Sequence, residues 1–216
     1  MGRRTKVFAH QAFTLTSLLI LIAILALLAA LLLPALARAR TRAHEVRCEN
    51  NLKSVSLAFR IWAADNNDRF PMSVSTNARG SREWVDGGNA FRHLAVLSNE
   101  LNTPKVLVCP AEGSTEARDF SEFSNANLSY FVGLDVQEHR HPMLLLGDRN
   151  ITNGLVPRRT ILHLPPDQPA GWTEAVHRAT GHIALADGSV YRTTTTELRS
   201  RLRNTGDPTN RVALPD

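Results

Sequence analysis

The stretch from Phe13 to Leu33, FTLTSLLILIAILALLAALLL, decides how the rest of the chain is read. Only Thr14, Thr16 and Ser17 are polar in it, and Leu18 to Leu33 is an unbroken apolar run. Its 21 residues, at about 1.5 Å each along a helix, give about 30 Å, the thickness of the hydrocarbon core of a bilayer. The pattern predicts one membrane-spanning helix and excludes a plain soluble globule.

On its N-terminal side the run is preceded by MGRRTKVFAHQA, with Arg3, Arg4 and Lys6 as its basic residues. On the other side come Arg38, Arg40, Arg42 and Arg47, so the positive-inside rule does not choose an orientation. A secretory signal peptide would have a shorter apolar region and small residues at a cleavage site, where this sequence stays rich in leucine. A simple anchor fits the length. No glycine interrupts Phe13 to Ala64, which predicts one helix of about fifty residues, bent where Pro34 removes an intrahelical hydrogen bond. Beyond Pro34, the residues Cys48, Leu52, Val55, Phe59 and Trp62 recur at spacings of four and three, an apolar stripe on one helix face. Too short for a long coiled-coil seam, the stripe predicts docking on the chain's own globular part. Asp65-Asn66-Asn67-Asp68, ahead of Pro71, ends the helix.

The whole chain has 216 residues and is 43% hydrophobic, so the part after the helix is correspondingly more polar. That part is the size of one ordinary domain, and 3 Trp, 2 Tyr and 8 Phe in the chain suffice for one modest core. The chain holds 25 basic and 20 acidic residues, a small excess that three residues before the span largely account for. Charge therefore does not point to nucleic acid.

The start Phe13-Thr14-Leu15 directly after Ala12, behind a basic leader, is joined by a proline 21 residues after Phe13 and by the continuation CENNLKSVSLAFRIWAADNNDRFP. Together these resemble the prepilin-type family, the subunits of type IV pili and of the type II secretion pseudopilus, over residues 3 to 70. The resemblance implies that residues 1–12 are a leader cut between Ala12 and Phe13 by a prepilin peptidase, which methylates the new amine. It implies a pilin-like α+β fold: one long helix over 13–65, transmembrane over 13–33 in the inner membrane, packed against a small antiparallel sheet in an extracytoplasmic domain over 66–216. It further implies a structural subunit of a type II secretion or type IV pilus-like fibre, with other pilin or pseudopilin subunits as partners, no enzymatic activity and no nucleic acid.

Two positions depart from the family pattern. Ala12 stands where glycine is usual, and Ser17 stands where the family carries a glutamate. That glutamate compensates the terminal amine of a neighbouring subunit inside an apolar filament core, where an unpaired charge is costly. Ser17, with Pro34 a filament-core position, can hydrogen-bond an amine but cannot neutralise it. Either Ser17 is a tolerated polar residue in the first turn, or the chain is a minor or tip-like subunit with no neighbour above it. A reading from another class is a membrane-anchored module whose outer domain binds an envelope ligand and does not assemble.

In the globular part, Pro71 to Gly88 reads as a loop with a short strand at Glu83 to Val85. Phe91 to Leu101 reads as a helix capped by Asn89, and Lys105 to Val108 as a strand. Leu128 to Asp135, Pro142 to Gly147 and His182 to Thr193 predict strands of one antiparallel sheet. Thr196 to Asn204 reads as an amphipathic helix with Leu198 and Leu202 inward, followed by a polar tail whose Val212 and Leu214 tuck back. An oxidising compartment permits a Cys48–Cys109 disulfide, the one pairing two cysteines allow; two buried thiols are the alternative.

His177, followed after nine residues by Asp187-Gly188, resembles a C-terminal motif of prepilin-like proteins. Asp187-Gly188 predicts a tight hairpin turn with positive φ at both residues. The functional alternatives are that His177 and Asp187 approach one another, or that Asp187 ligates a metal. Some pseudopilins hold calcium, and Asp135, Asp148 and Asp187 follow predicted strands, yet no compact Asp/Asn run marks a calcium loop. The expectation is therefore no cofactor. His139 and His141 share a strand face without a further zinc ligand at diagnostic spacing. Gly147-Asp148-Arg149-Asn150 and the His177 segment lack an accompanying nucleophile motif or phosphate loop.

Overall fold

The structure, a computed structural model, describes residues 15–139, 142–155 and 160–215. Helix α1 (Leu15–Ala64) runs through Pro34 without a break. The chain divides into two compact units, one ending at Arg42 and the other beginning at Ala43.

In the first unit the large apolar side chains from Leu15 to Leu36 are all exposed. Leucines at 65% exposure, as at Leu32 and Leu33, belong to a contiguous apolar surface of the kind that marks contact with lipid or with an apolar partner. By length and composition this helix can cross a membrane.

In the second unit the rest of α1 buries Cys48, Leu52, Val55, Phe59 and Trp62, the five residues of the stripe. They belong to a core on one face of an antiparallel sheet. The sheet contains β1 (Tyr130–Gly133), β2 (Leu144–Asp148), β4 (Ile161–His163), β6 (Thr180–Leu185), β7 (Val190–Thr194) and β8 (Arg211–Ala213). Their order is β4-β8-β1-β2-β6-β7. The short strands β3 (Ile151–Thr152) and β5 (Gly171–Trp172) pair with each other. Helix α4 (Thr195–Asn204) opens with a capping box between Thr194 and Glu197 and covers the opposite sheet face with Leu198 and Leu202. The architecture is α+β.

Strand alternation divides side chains between two cores. Tyr130, Val132, Ala184 and Ala186 join the core that holds α1, while Phe131, Ile183 and Leu185 join the one that holds α4. In β2, Leu145 and Leu146 both belong to the α1 core because the register with β6 shifts between Leu144 and Leu146. Gly147 lies where a Cβ would come within 2.6 Å of the His182 carbonyl and 2.7 Å of the Phe131 ring, so only glycine lets β1, β2 and β6 close there.

Several expected elements differ. Glu83 to Val85 lies in a 3-10 helix, Arg82–Gly87, and Lys105 to Val108 is mostly the 3-10 turn Pro104–Leu107, with proline at its first position. The helix expected over Phe91 to Leu101 is two short ones, α2 (Ala90–Ala95) and α3 (Ser98–Leu101), and the Asn89 side chain donates to the Gly87 carbonyl instead of capping. Val212 does more than tuck back: as part of β8 it pairs with both β1 and β4. The Asp187-Gly188 hairpin has positive φ at Gly188 only. Leu185 N–H donates to Ser189 O and Gly188 N–H to Leu185 O, a type I turn closed by a left-handed glycine in place of the expected two-residue turn.

Candidate functional site

The most unusual chemistry lies on the sheet face that α1 covers. Asp148, the last residue of β2, and His182 of β6 project to that face, opposite Tyr130 of β1. Asp148 Oδ2 accepts the His182 amide proton at 2.6 Å and lies 2.9 Å from His182 Nδ1. Its Oδ1 is buried with no hydrogen-bond partner among the described residues.

His177 reaches the same carboxylate from the loop before β6, with Nε2 3.5 Å from Asp148 Oδ2 and 3.3 Å from Cys109 Sγ. The two imidazole rings stand edge to face, 4.9 Å between centroids. Each of the three side chains is at most 2% exposed. Burial lowers the His177 pKa, with the Asp148 charge acting in the opposite direction. Tyr130, cross-strand from Asp148, is pushed well above the usual phenol range by burial first and the Asp148 charge second.

The loop carrying His177 is held in a costly conformation. His177, Arg178 and Ala179 have φ of 53°, 52° and 58°, three consecutive left-handed residues that all carry a Cβ. Each such residue costs about 1–2 kcal/mol. What holds them is Asn150, whose buried side-chain amide nitrogen lies 3.1 Å from the Thr173 carbonyl, 3.0 Å from that of Val176 and 3.1 Å from that of Thr180. Thr180 Oγ1 also donates to the His177 carbonyl at 2.7 Å. Beside this loop, Cys48 and Cys109 form a disulfide with Cα atoms 5.0 Å apart, which ties α1 to the end of the Pro104–Leu107 turn region.

No family model, curated protein or solved structure matches this chain.

The residues singled out in the sequence are dispersed by the fold. Ala12, Phe13 and His141 lie outside the described residues, and Ser17 and Pro34 are exposed on α1. His177 meets Asp148, whereas Asp187 lies beyond the other end of β6, in the turn that follows Leu185. Asp187 Oδ1 instead accepts from the Ser189 amide and hydroxyl, and its carbonyl accepts from Arg60, so it shapes the turn. Asp135 is held by Arg211 at 2.6 and 2.8 Å. The three aspartates considered for calcium thus have three different surroundings. His139 is exposed.

His182 and the anchor role of Asn150 escaped the sequence reading. His182 alternates with Ile183 inside an apolar strand, and that alternation was a legible signal that it faces inward with Ala184. As a group, the buried Asp148, His177 and His182 offer one carboxylate and two imidazoles, an arrangement suited to holding an ion or a proton.

Proposed function

We propose that this chain is a prepilin-like structural subunit of a type II secretion or type IV pilus-like fibre. On this reading it is inserted in the inner membrane through α1 with its second unit outside the cytoplasm. The observation that carries the proposal is the double character of α1: an apolar half exposed along its length, followed by a half that buries one stripe against an antiparallel sheet. A soluble protein does not leave such a surface bare, and a lipid-embedded helix that later packs on its copies needs it. The disulfide is a second support, since such bonds persist outside reducing compartments. The pilin-like sequence from Ala12 to Pro34 is the third.

One polar cleft, of about 380 Å³ near Met72, Arg82 and Asp86, gives little support to a ligand-binding module, because its Arg211 is already paired with Asp135 and Asp86. The proposal is tested on protein from cells with an active prepilin peptidase. Sequencing should find Phe13 as a methylated first residue, and crosslinks through α1 should join the chain to other pilin-like subunits in sheared fibres. An intact Met1 and no such crosslinks would leave only a membrane anchor.

A further inference from the structure

Asp148, His177 and His182 each present one donor atom, and the three donors lie within 4.8 Å of one another in a buried position. In the tetrahedral shell of a small divalent ion, with bonds of about 2.0–2.1 Å, neighbouring ligand atoms stand about 3.3 Å apart. Two of the three observed separations, 3.5 Å (His177 Nε2 to Asp148 Oδ2) and 2.9 Å (His182 Nδ1 to Asp148 Oδ2), lie within a few tenths of an ångström of that value, and the third, between the two imidazoles, lies within 4.8 Å. From this geometry we propose that the chain holds one divalent transition-metal ion, of the zinc type, between Asp148, His177 and His182.

Three further observations converge on the same place. Asp148 Oδ1 is buried without a hydrogen-bond partner among the described residues, while Oδ2 is the oxygen both imidazoles approach, so the carboxylate has unsatisfied acceptor capacity that a cation bound at this group would use. The neighbouring arginine does not serve, because Arg149 is paired with Glu112. Finally, the left-handed run His177 to Ala179, fastened by Asn150, holds one imidazole at the carboxylate in a backbone conformation that carries a cost, as constrained functional sites do.

The donor chemistry selects the ion. Calcium and magnesium take oxygen ligands, and here two of three donors are imidazoles, which suit zinc, copper, nickel or iron. Cys48 and Cys109 also lie within reach of His177 Nε2, but their sulfurs are joined to each other and are not thiolates. With the disulfide closed the donor set is therefore two nitrogens and a carboxylate, and the remaining coordination position goes to water. The ion would clamp β2, β6 and the loop between Trp172 and Thr180 together. The inference does not depend on filament assembly.

The test uses the full chain in detergent, with the disulfide shown closed by the absence of thiol labelling, stripped by a chelator and then titrated with zinc in a calorimeter. One zinc per chain is expected, with a raised Tm and shifts of the His177 and His182 imidazole nitrogen resonances in the parent protein. His177→Gln should weaken binding by more than about 100-fold, beyond the effect usual for residues outside the ligand shell. His139→Ala should leave it unchanged. Absence of saturable one-to-one binding, or imidazole resonances of His177 and His182 that do not move, overturns the proposal without relying on any variant. Equal affinity in a folded His177→Gln protein does the same.

Discussion

Cys48 and Cys109 are joined across 61 positions of sequence, one on α1 and the other just after the Pro104–Leu107 turn. The bond closes a loop that contains the short helices α2 and α3, so its removal frees that segment in the unfolded chain. In the chain-entropy model a loop of this length contributes about 4 kcal/mol. Cys48→Ala with Cys109→Ala should lower unfolding free energy of the second unit by about that amount, read from urea midpoints without reductant. A change under about 1 kcal/mol would mean that the packing of α1 alone suffices.

Asn150→Ala leaves the carbonyls of Thr173, Val176 and Thr180 without their shared donor. A buried carbonyl deprived of its partner, as at Val176, costs about 1–3 kcal/mol, and the left-handed residues between Val176 and Thr180 lose their fastening. The expected result is a loss of about 3 kcal/mol and faster amide exchange from Thr173 to Thr180, with little change in α4.

At Gly188 the φ is +85°, and a Cβ would stand 3.3 Å from Arg60 Cδ. Gly188→Ala should cost about 1–2 kcal/mol from the left-handed backbone. The Arg60 contact with the Asp187 carbonyl should shift as well. Gly188→Asn, which tolerates this conformation better, should recover part of the loss in a thermal melt.

His93 is buried with Nδ1 2.8 Å from Ser81 Oγ, and burial lowers its pKa to about 4. Between its unfolded value near 6.5 and that folded value, the unfolded chain takes up a proton that the folded chain refuses. Stability therefore falls as pH drops through this window and is unaffected by His93 above it. The full effect at pH 4 is about 3 kcal/mol. His177, lowered by burial as well, adds in the same direction. His93→Gln should flatten the profile of unfolding free energy measured between pH 4.5 and 7, and identical slopes in parent and variant would remove His93 as the cause.

Ser17→Glu bears on the filament reading. If the missing carboxylate limits packing beside a neighbour's terminal amine, the substitution should raise incorporation into sheared fibres severalfold, measured by immunoblot against total membrane protein. Unchanged incorporation would discard the tip-subunit interpretation of Ser17.

Much of the fold is legible because it depends on local pattern. The five-residue stripe from Cys48 to Trp62 is a helical period, and each of its members is buried as that period requires. The strands around Tyr130, Leu144 and Ile183 announce themselves as apolar runs between turn residues. The 3-10 segments at Arg82 and Pro104 do not, because a strand and a tight turn draw on the same short mixture of Val, Trp and Lys and differ in which carbonyls are reachable. β8 is three residues long inside a polar tail, and only its two neighbours in the sheet make it a strand.

The candidate site divides in the same way. His177 stood out through its spacing to Asp187-Gly188, but the spacing concealed its partner. Asp148 is 34 residues from His182 in sequence, and the two meet because β2 and β6 pair antiparallel with a register shift in β2 that turns Asp148 to the side His182 already faces.

By itself the sequence determined the apolar span, the amphipathic continuation of α1, the hairpin position and the α+β class. Each follows from side-chain periodicity and backbone preference over a few turns of chain. Only the tertiary structure decided that Asp148, rather than Asp187, faces His177, that Asn150 fastens the left-handed loop, and that α1 closes over the cluster. Those contacts depend on strand register and burial, which act between residues distant in sequence and leave no periodic trace in it.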